Sequence, residues 1–245
     1  MCPKELHRTN RKKAKVTLHM GETKLNIIYE DEAIIVCEKE AGIATQTKKI
    51  GQKDMESMLR TYRMQKGEPS YIGVVHRLDQ PVRGVMVFAK TKEAAADLSR
   101  QVSEKTADKY YYAVVDGVPK KEMDTLVDYL LKDGKTNLSK VVGKDTKDAK
   151  RAELSYEVLE KNETQALLKI KLLTGRHHQI RVQMAYAGYP LLGDRKYNPV
   201  ENETNLSKNS FQQLCLCSYK LSFLHPSTKR KMEFELQNPF QLEKI

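Results

Sequence analysis

Residues 71–89 read Tyr71-Ile72-Gly73-Val74-Val75-His76-Arg77-Leu78-Asp79-Gln80-Pro81-Val82-Arg83-Gly84-Val85-Met86-Val87-Phe88-Ala89. The runs Tyr71 to Val75 and Val85 to Ala89 are short and rich in β-branched and aromatic residues, which predicts two strands. Between them, His76 to Gly84 is polar and carries Pro81 and Gly84 as breakers, so it is a loop. An aspartate on a loop between two core strands is held firmly yet remains reachable, as a nucleophile or general base requires. Asp79 could equally be a turn or capping residue.

Working outward, Leu25 to Tyr29 and Ala33 to Cys37 form a strand pair around the acidic turn Glu30-Asp31-Glu32. Met55, Met58, Leu59 and Tyr62 recur at helical spacing, a core-facing stripe. Thr91 is placed to cap a helix marked by Ala95, Leu98 and Val102. Further strands are expected at Tyr110 to Val115, Ala152 to Val158, Ala166 to Leu173, Leu214 to Phe223 and Lys231 to Leu236. A helix is expected from about Arg176 to Ala187, stopped by Gly188 and Pro190. The polar stretch from Lys132 to Lys150 reads as one long hairpin loop. Strands outnumber helices and are joined mostly by short turns, so the fold class is α+β. The expected core is a mixed, mostly antiparallel sheet flanked by helices and loops. No repeat or linker divides it: residues 1–20 are expected to be a basic arm and residues 21–245 one domain.

The second dense polar locus is Thr174-Gly175-Arg176-His177-His178-Gln179-Ile180-Arg181. If helical, it sets His177 and Arg181 on one face at i,i+4. Adjacent histidines on a helix point about 100° apart, so they are a poor metal pair. No Walker A loop, GxGxxG or GxSxG occurs, which argues against ATPase, dinucleotide and α/β-hydrolase chemistry. Cys215 and Cys217 alternate with Tyr219, Leu221 and Phe223 as one buried strand face, rather than as a metal or redox pair.

Composition bounds the function class. Of 245 residues, 40% are apolar and 31% charged, which suits a folded globular chain. The apolar runs are no longer than six residues, against roughly 20 for a membrane helix. The opening MCPKELHRTNRKKAK has no apolar signal-type segment, so a cytoplasmic protein with reduced cysteines is expected. The 43 Lys+Arg exceed the 32 Asp+Glu by 11. This basic excess clusters in the first twenty residues, at Lys147 to Arg151 and at Lys229-Arg230-Lys231, a pattern that suits a polyanionic partner.

The two loci also carry a resemblance. His76-Arg77-Leu78-Asp79, with Gly84 and Ala89-Lys90 behind it, resembles the HRLD signature of the RluA-type RNA pseudouridine synthases. Thr174 to Val182, followed by Gly188, Pro190, Gly193-Asp194 and Tyr197, resembles that family's second strong motif. Lys109-Tyr110-Tyr111-Tyr112-Ala113 with Gly117 resembles its KxYxA…G strand, and Leu221, Phe223 and His225-Pro226 resemble its C-terminal frame. These matches are in family order and cover about residues 25 to 240.

The resemblance implies a single pseudouridine-synthase-like catalytic domain that isomerises uridine to pseudouridine in ribosomal or transfer RNA, without metal or other cofactor. It implies Asp79 as the catalytic aspartate, Arg181 as its partner, and Tyr111 as the residue that contacts the base and helps move a proton. Ile180 would pack beside the base, and Arg77 would fill the gap left in the RNA stack. His76, Arg176 and Gln179 would lie against the substrate. A monomer with RNA as its partner is expected, and the small RNA-binding domain many members carry in front is not seen. Several positions depart from the family pattern. Val82-Arg83 replaces a small pair, so that Arg83 becomes a candidate phosphate contact. Glu38-Lys39-Glu40 replaces Asn-Lys-Pro, and a histidine replaces the threonine before His-Gln. The basic surface would also serve a non-catalytic RNA-binding or ribosome-assembly factor. A metal-dependent nuclease using His76 and His177 is the third reading, weakened by the lack of clustered carboxylates.

Overall fold

The computed structural model describes residues 16–20, 23–49, 51–198 and 213–242. Its elements begin with β1 (Val16–Met20), β2 (Thr23–Glu30) and β3 (Ile34–Lys39), then α1 (Met55–Gln65). The short β4 (Gly73–Val74) and β5 (Arg83–Ala89) flank the polar loop and are followed by α2 (Lys92–Ser103). Next come β6 (Asp108–Asp116), β7 (Met123–Asp133), β8 (Leu138–Val142), β9 (Lys150–Lys161) and β10 (Gln165–Leu172). The chain closes with α3 (Gln179–Tyr186), β11 (Leu216–Leu224) and β12 (Lys231–Glu235).

The strands form one sheet in the order β1-β2-β3-β5-β11-β6-β10-β9-β7-β8, with β4 added to β5 and β12 to β11. Among the described strands the ladders are antiparallel, apart from β5 beside β11, where Arg83 pairs Cys217 and Gly84 pairs Ser218. This parallel seam joins the N-terminal half of the sheet to the rest. Gly84 makes it possible: a Cβ there would sit 2.5 Å from both the Cβ and the carbonyl oxygen of Ser218. No side chain fits such an approach.

Apolar residues cover both faces of the sheet centre. On one face Ile35, Cys37, Met86 and Phe88 pack with Met55, Met58 and Leu59 of α1 and with Ile180 and Met184 of α3. On the other, Ile34, Val36, Val85 and Val87 pack with Ala94 and Leu98 of α2. Alternating residues of β3 and β5 therefore serve opposite layers, which is why these runs are apolar without interruption. Both flanking helices are capped as their sequences require. Asp54 and Ser57 make a reciprocal capping box on α1, and Thr91 accepts from the Ala94 N–H at 3.1 Å. This is the α+β, mostly antiparallel architecture expected.

Several expectations are corrected. Val16–Met20, assigned to the arm, forms β1 and pairs with β2; residues 1–15 lie outside the described residues. The Lys132 to Lys150 stretch contains β8, paired with β7 from Tyr129↔Val142 to Asp133↔Leu138. The strand, LSKVV, is short and lies at a sheet edge within a lysine-rich stretch, so its sequence signal is weak. The strand expected at Tyr71 to Val75 shrinks to Gly73–Val74, because only these pair with β5. β11 is buried on both faces, with Leu216, Ser218 and Ser222 as covered as Cys217 and Tyr219. Arg83 is held by the buried Glu38, its Nε donating at 2.7 Å, so it braces β3 against β5 and is not a spare phosphate contact. Lys229, one of the basic cluster near the C-terminus, is paired with Asp97 of α2.

Because Gly84 lies against the Ser218 backbone, Gly84→Ala should destabilise the fold by about 1–3 kcal/mol. Urea unfolding measures this, and an unchanged midpoint would mean that the seam can open to admit a methyl group.

Candidate active site

The loop between β4 and β5 is fixed from three sides. His76 Nε2 accepts the Val87 N–H at 3.1 Å, tying the loop to β5. Burial, with the nearby Lys109 charge adding to it, pushes the His76 pKa down to about 3, so the ring is neutral. The Thr45 hydroxyl accepts the Leu78 N–H at 3.1 Å and donates to the Leu78 carbonyl at 3.0 Å. Lys39, fully buried at the end of β3, donates to the carbonyls of Gln80 at 3.1 Å and Ile43 at 2.6 Å. Burial pulls the Lys39 pKa down to about 8, against the opposing charges of Asp79 and Glu40. The residues on either side of Asp79 are thus clamped, while its carboxylate stays 28% exposed and open to a ligand.

The opposite wall comes from α3. Arg181 is 5% exposed, and its Nη1 lies 3.2 Å from Asp79 Oδ2. The rest of the guanidinium is gripped by the fully buried Asp194, Nε to Oδ2 and Nη2 to Oδ1, each at 2.7 Å. Asp194 Oδ1 also accepts the backbone N–H groups of Lys196 and Tyr197. Burial lowers the Arg181 pKa, but the hydrogen bonds and charge of Asp194, reinforced by Asp79, outweigh it and raise it. The bidentate contact fixes the plane of the guanidinium, leaving one N–H edge for Asp79.

Asp79 and Arg181 face a cavity of about 1060 Å³ that is also lined by Arg77, Lys109, Tyr111, Arg176, His178 and Ile180. It exceeds the roughly 300–1,000 Å³ of small-molecule pockets. Tyr111 on β6 is 6% exposed. Burial holds its hydroxyl well above the usual pKa; a hydrogen bond with Ser218 opposes this and the Asp79 charge adds to it. Ile180 supplies the apolar wall beside Asp79. Arg77 is exposed on this cavity, as is Arg176, whose Nε donates to the Arg151 carbonyl. Gln179 differs from its expected substrate contact. It donates to the Glu153 carbonyl and to Gln183, and accepts from Thr174 and the Arg176 N–H. All four of its hydrogen-bonding positions are used within the protein. His76 likewise turns one nitrogen to β5, leaving only the other for a ligand.

The second motif is not helical where helical spacing suggested. α3 begins at Gln179, and His178 before it is left-handed with φ 53°. His177 and Arg181 therefore do not share a helix face, and the two histidine rings stack with centroids 3.7 Å apart. Among the described residues no group of three or more His, Cys, Asp or Glu is arranged to hold a metal.

The arrangement offers a reachable carboxylate, a cation that pairs with it, a protonated phenol and an apolar wall, inside a cavity with arginines at its edge. Such a set suits nucleophilic or acid–base work on a planar heterocycle whose attached backbone is anionic. The sequence profile of the RNA pseudouridylate synthase family matches residues 33–186. An RNA pseudouridine synthase of Aquifex aeolicus, described as uncharacterised, is 35% identical over 88% of this chain and 70% of its own length. The ribosomal large subunit pseudouridine synthase C of Vibrio vulnificus is 31% identical over 89% and 67% of the two chains. The tRNA pseudouridine synthase C of Vibrio parahaemolyticus is 29% identical over 87% and 90%. The human RNA pseudouridylate synthase domain containing 1 protein has the same fold, with a TM-score of 0.72 at 23% identity over 89% and 84% of the chains. The chain belongs to the RNA pseudouridylate synthase family and is an isomerase, an RNA pseudouridine synthase.

Four site residues had no role assigned from the sequence: Lys39, Thr45, Asp194 and Tyr197. Asp194 and Tyr197 were visible as part of the second motif, but nothing in their spacing shows that the chain returns to Arg181. Lys39 carried one signal, a lone lysine directly after five buried strand residues. Asp194→Asn should cost roughly 3–5 kcal/mol of stability, because it strips a buried guanidinium of its main counter-charge. A loss below about 1 kcal/mol in urea unfolding would show that this pair does not hold α3 in place.

Proposed function

We propose that the protein converts a uridine of ribosomal or transfer RNA to pseudouridine, with Asp79 as the residue that attacks the substrate. The observation that carries this reading is the Asp79–Arg181 contact at 3.2 Å inside the cavity, with the flanking backbone of Asp79 clamped. Isomerisation breaks the N1–C1′ bond, turns the uracil and rejoins it through C5. A base within a helical stack cannot undergo this, so the nucleotide must be flipped out at a cost of a few kcal/mol. Arg77, exposed on the cavity, is suited to occupy the vacated place by stacking its guanidinium and touching phosphate, which offsets part of that cost. Ile180 packs against the flipped base, and the protonated Tyr111 hydroxyl is placed to pass a proton at its edge. Arg176 and Lys109 lie where the backbone of the flipped nucleotide enters, with His76 behind them.

Both ribosomal and transfer RNA synthases stand among the relatives, so the RNA class rests on their names alone. A cytoplasmic site of action goes with those substrates, and a monomer suffices because one chain builds the whole cavity. Residues 1–15 are proposed as a basic arm that follows RNA phosphate. Deleting them should weaken RNA binding at low salt and flatten its salt dependence. Equal affinity for both forms would remove the arm from the interface.

Tritium release from RNA labelled at uridine C5 tests the reaction. The wild type should release it without cutting the chain, and Asp79→Asn should release none. Arg181→Met should lose activity while RNA affinity changes little, since its partners are carboxylates and not phosphate. Release by Asp79→Asn at the wild-type rate would exclude Asp79 as the attacking group.

A further inference from the structure

A second chain of contacts reaches the same Asp79 oxygen that Arg181 touches. The Ser139 backbone N–H of β8 donates to the Tyr197 hydroxyl at 2.9 Å. That hydroxyl lies 2.7 Å from His178 Nδ1. The other ring nitrogen, His178 Nε2, lies 3.5 Å from Asp79 Oδ2. The direction of the chain follows from the donors. Since the Tyr197 oxygen already accepts from Ser139, its own proton is free to go to Nδ1, which places the imidazole proton on Nε2, facing Asp79. The ring is locked on both sides: His177 stacks on it at 3.7 Å, and Tyr197 meets it edge-on at 5.5 Å. His177 is itself tied to the Ser139 hydroxyl through Nδ1 at 2.9 Å.

The charged and titratable groups around the imidazole are Asp79, Arg181, His177, Lys196 and Tyr197. Burial, helped by Arg181, His177 and Lys196 against the pull of Asp79, brings the His178 pKa down to about 4. At neutral pH the ring is therefore an uncharged donor, and its tautomer matters. We propose that Tyr197 and His178 are positioning residues that, beside Arg181, hold the same oxygen of the Asp79 carboxylate. The 3.5 Å separation is one that closes on substrate binding, as contacts of this kind commonly tighten only in the reacting complex. Two fixed donors on one carboxylate oxygen leave the other oxygen, and its lone pairs, turned to the substrate. The left-handed backbone at His178 turns the ring to Asp79 ahead of the first helical turn.

The proposal rests on the reaction proposed for this site, and a double-mutant cycle separates the two. Single-turnover tritium release would be measured on C5-labelled RNA taken from cells lacking this protein, with affinity for the same RNA measured alongside. Tyr197→Phe keeps the ring but cannot orient the imidazole, so the rate should fall at least tenfold with affinity within twofold. His178→Gln places an amide N–H near the position of Nε2 and has no tautomer to set. It should keep at least ten times the rate of His178→Ala, and adding Tyr197→Phe to it should lower the rate less than twofold. Equal loss from Tyr197→Phe in both backgrounds would overturn the relay while leaving the reaction standing. If Tyr197→Phe fails to fold, the Gln–Ala comparison decides alone, and equal rates overturn the proposal. No release by the wild type would remove the reaction itself, and the relay with it.

Discussion

The structure turns on one buried guanidinium. Arg181 sits 5% exposed on a helix whose residues from Gln179 to Met184 are all buried. A charge so placed is tolerated only with close counter-charges and complete hydrogen bonding. Asp194 provides the larger part, through two parallel bonds, and Asp79 takes the remaining edge. The pairing explains the division of labour between two aspartates that look alike as residue types. Asp194 is fully covered and also fastened to backbone N–H groups, so it is structural. Asp79 shares the same cation but keeps 28% of its side chain open, so of the two it is the one a ligand can reach.

The other half of the site depends on the seam between β5 and β11. The Asp79 loop leads into β5, whereas Arg181 follows β10 and Asp194 precedes β11, so the carboxylate and its cation meet only because the two halves of the sheet are joined. Gly84 allows that join. Around it, Lys39 and Thr45 pin the residues on either side of Asp79 to the N-terminal strands. Two departures from the family pattern are explained together here. Glu38 and Arg83, each unusual alone, are partners across β3 and β5, with Glu38 buried and Arg83 donating to it. An asparagine and one member of a small pair are replaced by an ion pair between adjacent strands, and the loop keeps its anchor.

Much of this was legible in the sequence, for reasons that differ by element. The strands around the Asp79 loop, the α1 stripe and the Thr91 cap were readable because local period and capping chemistry specify them. Asp79, Tyr111 and Arg181 were singled out through motif order and not through spacing, since the Asp79 loop, β6 and α3 bring them to one cavity from across 102 positions of sequence. The start of α3 was misplaced because a left-handed histidine has no strong signature, and helical periodicity continues through it on paper. β8 escaped notice because its five residues sit inside a lysine- and glycine-containing stretch that reads as loop. Gln179 looked like a ligand-binding amide, but only the fold shows that its four hydrogen bonds are made inside the protein.

The positive charge divides in the same way. An excess of 11 suggests a broadly attractive surface, yet several of its members are committed inside the fold. Arg181 serves two aspartates, Arg83 serves Glu38, Lys90 is buried with Glu30 and Glu68, and Lys39 holds backbone carbonyls. At the centre of the site the charges balance, with Arg181 and the buried Lys39 against Asp79 and Asp194, and His76 and His178 neutral. Attraction for a polyanion must then come from cations around that point. Arg77, Arg176 and Lys109 line the same cavity, so positive charge surrounds the one carboxylate that stays open to it. An anionic polymer is drawn to such a rim, while the balanced centre adds no attraction of its own.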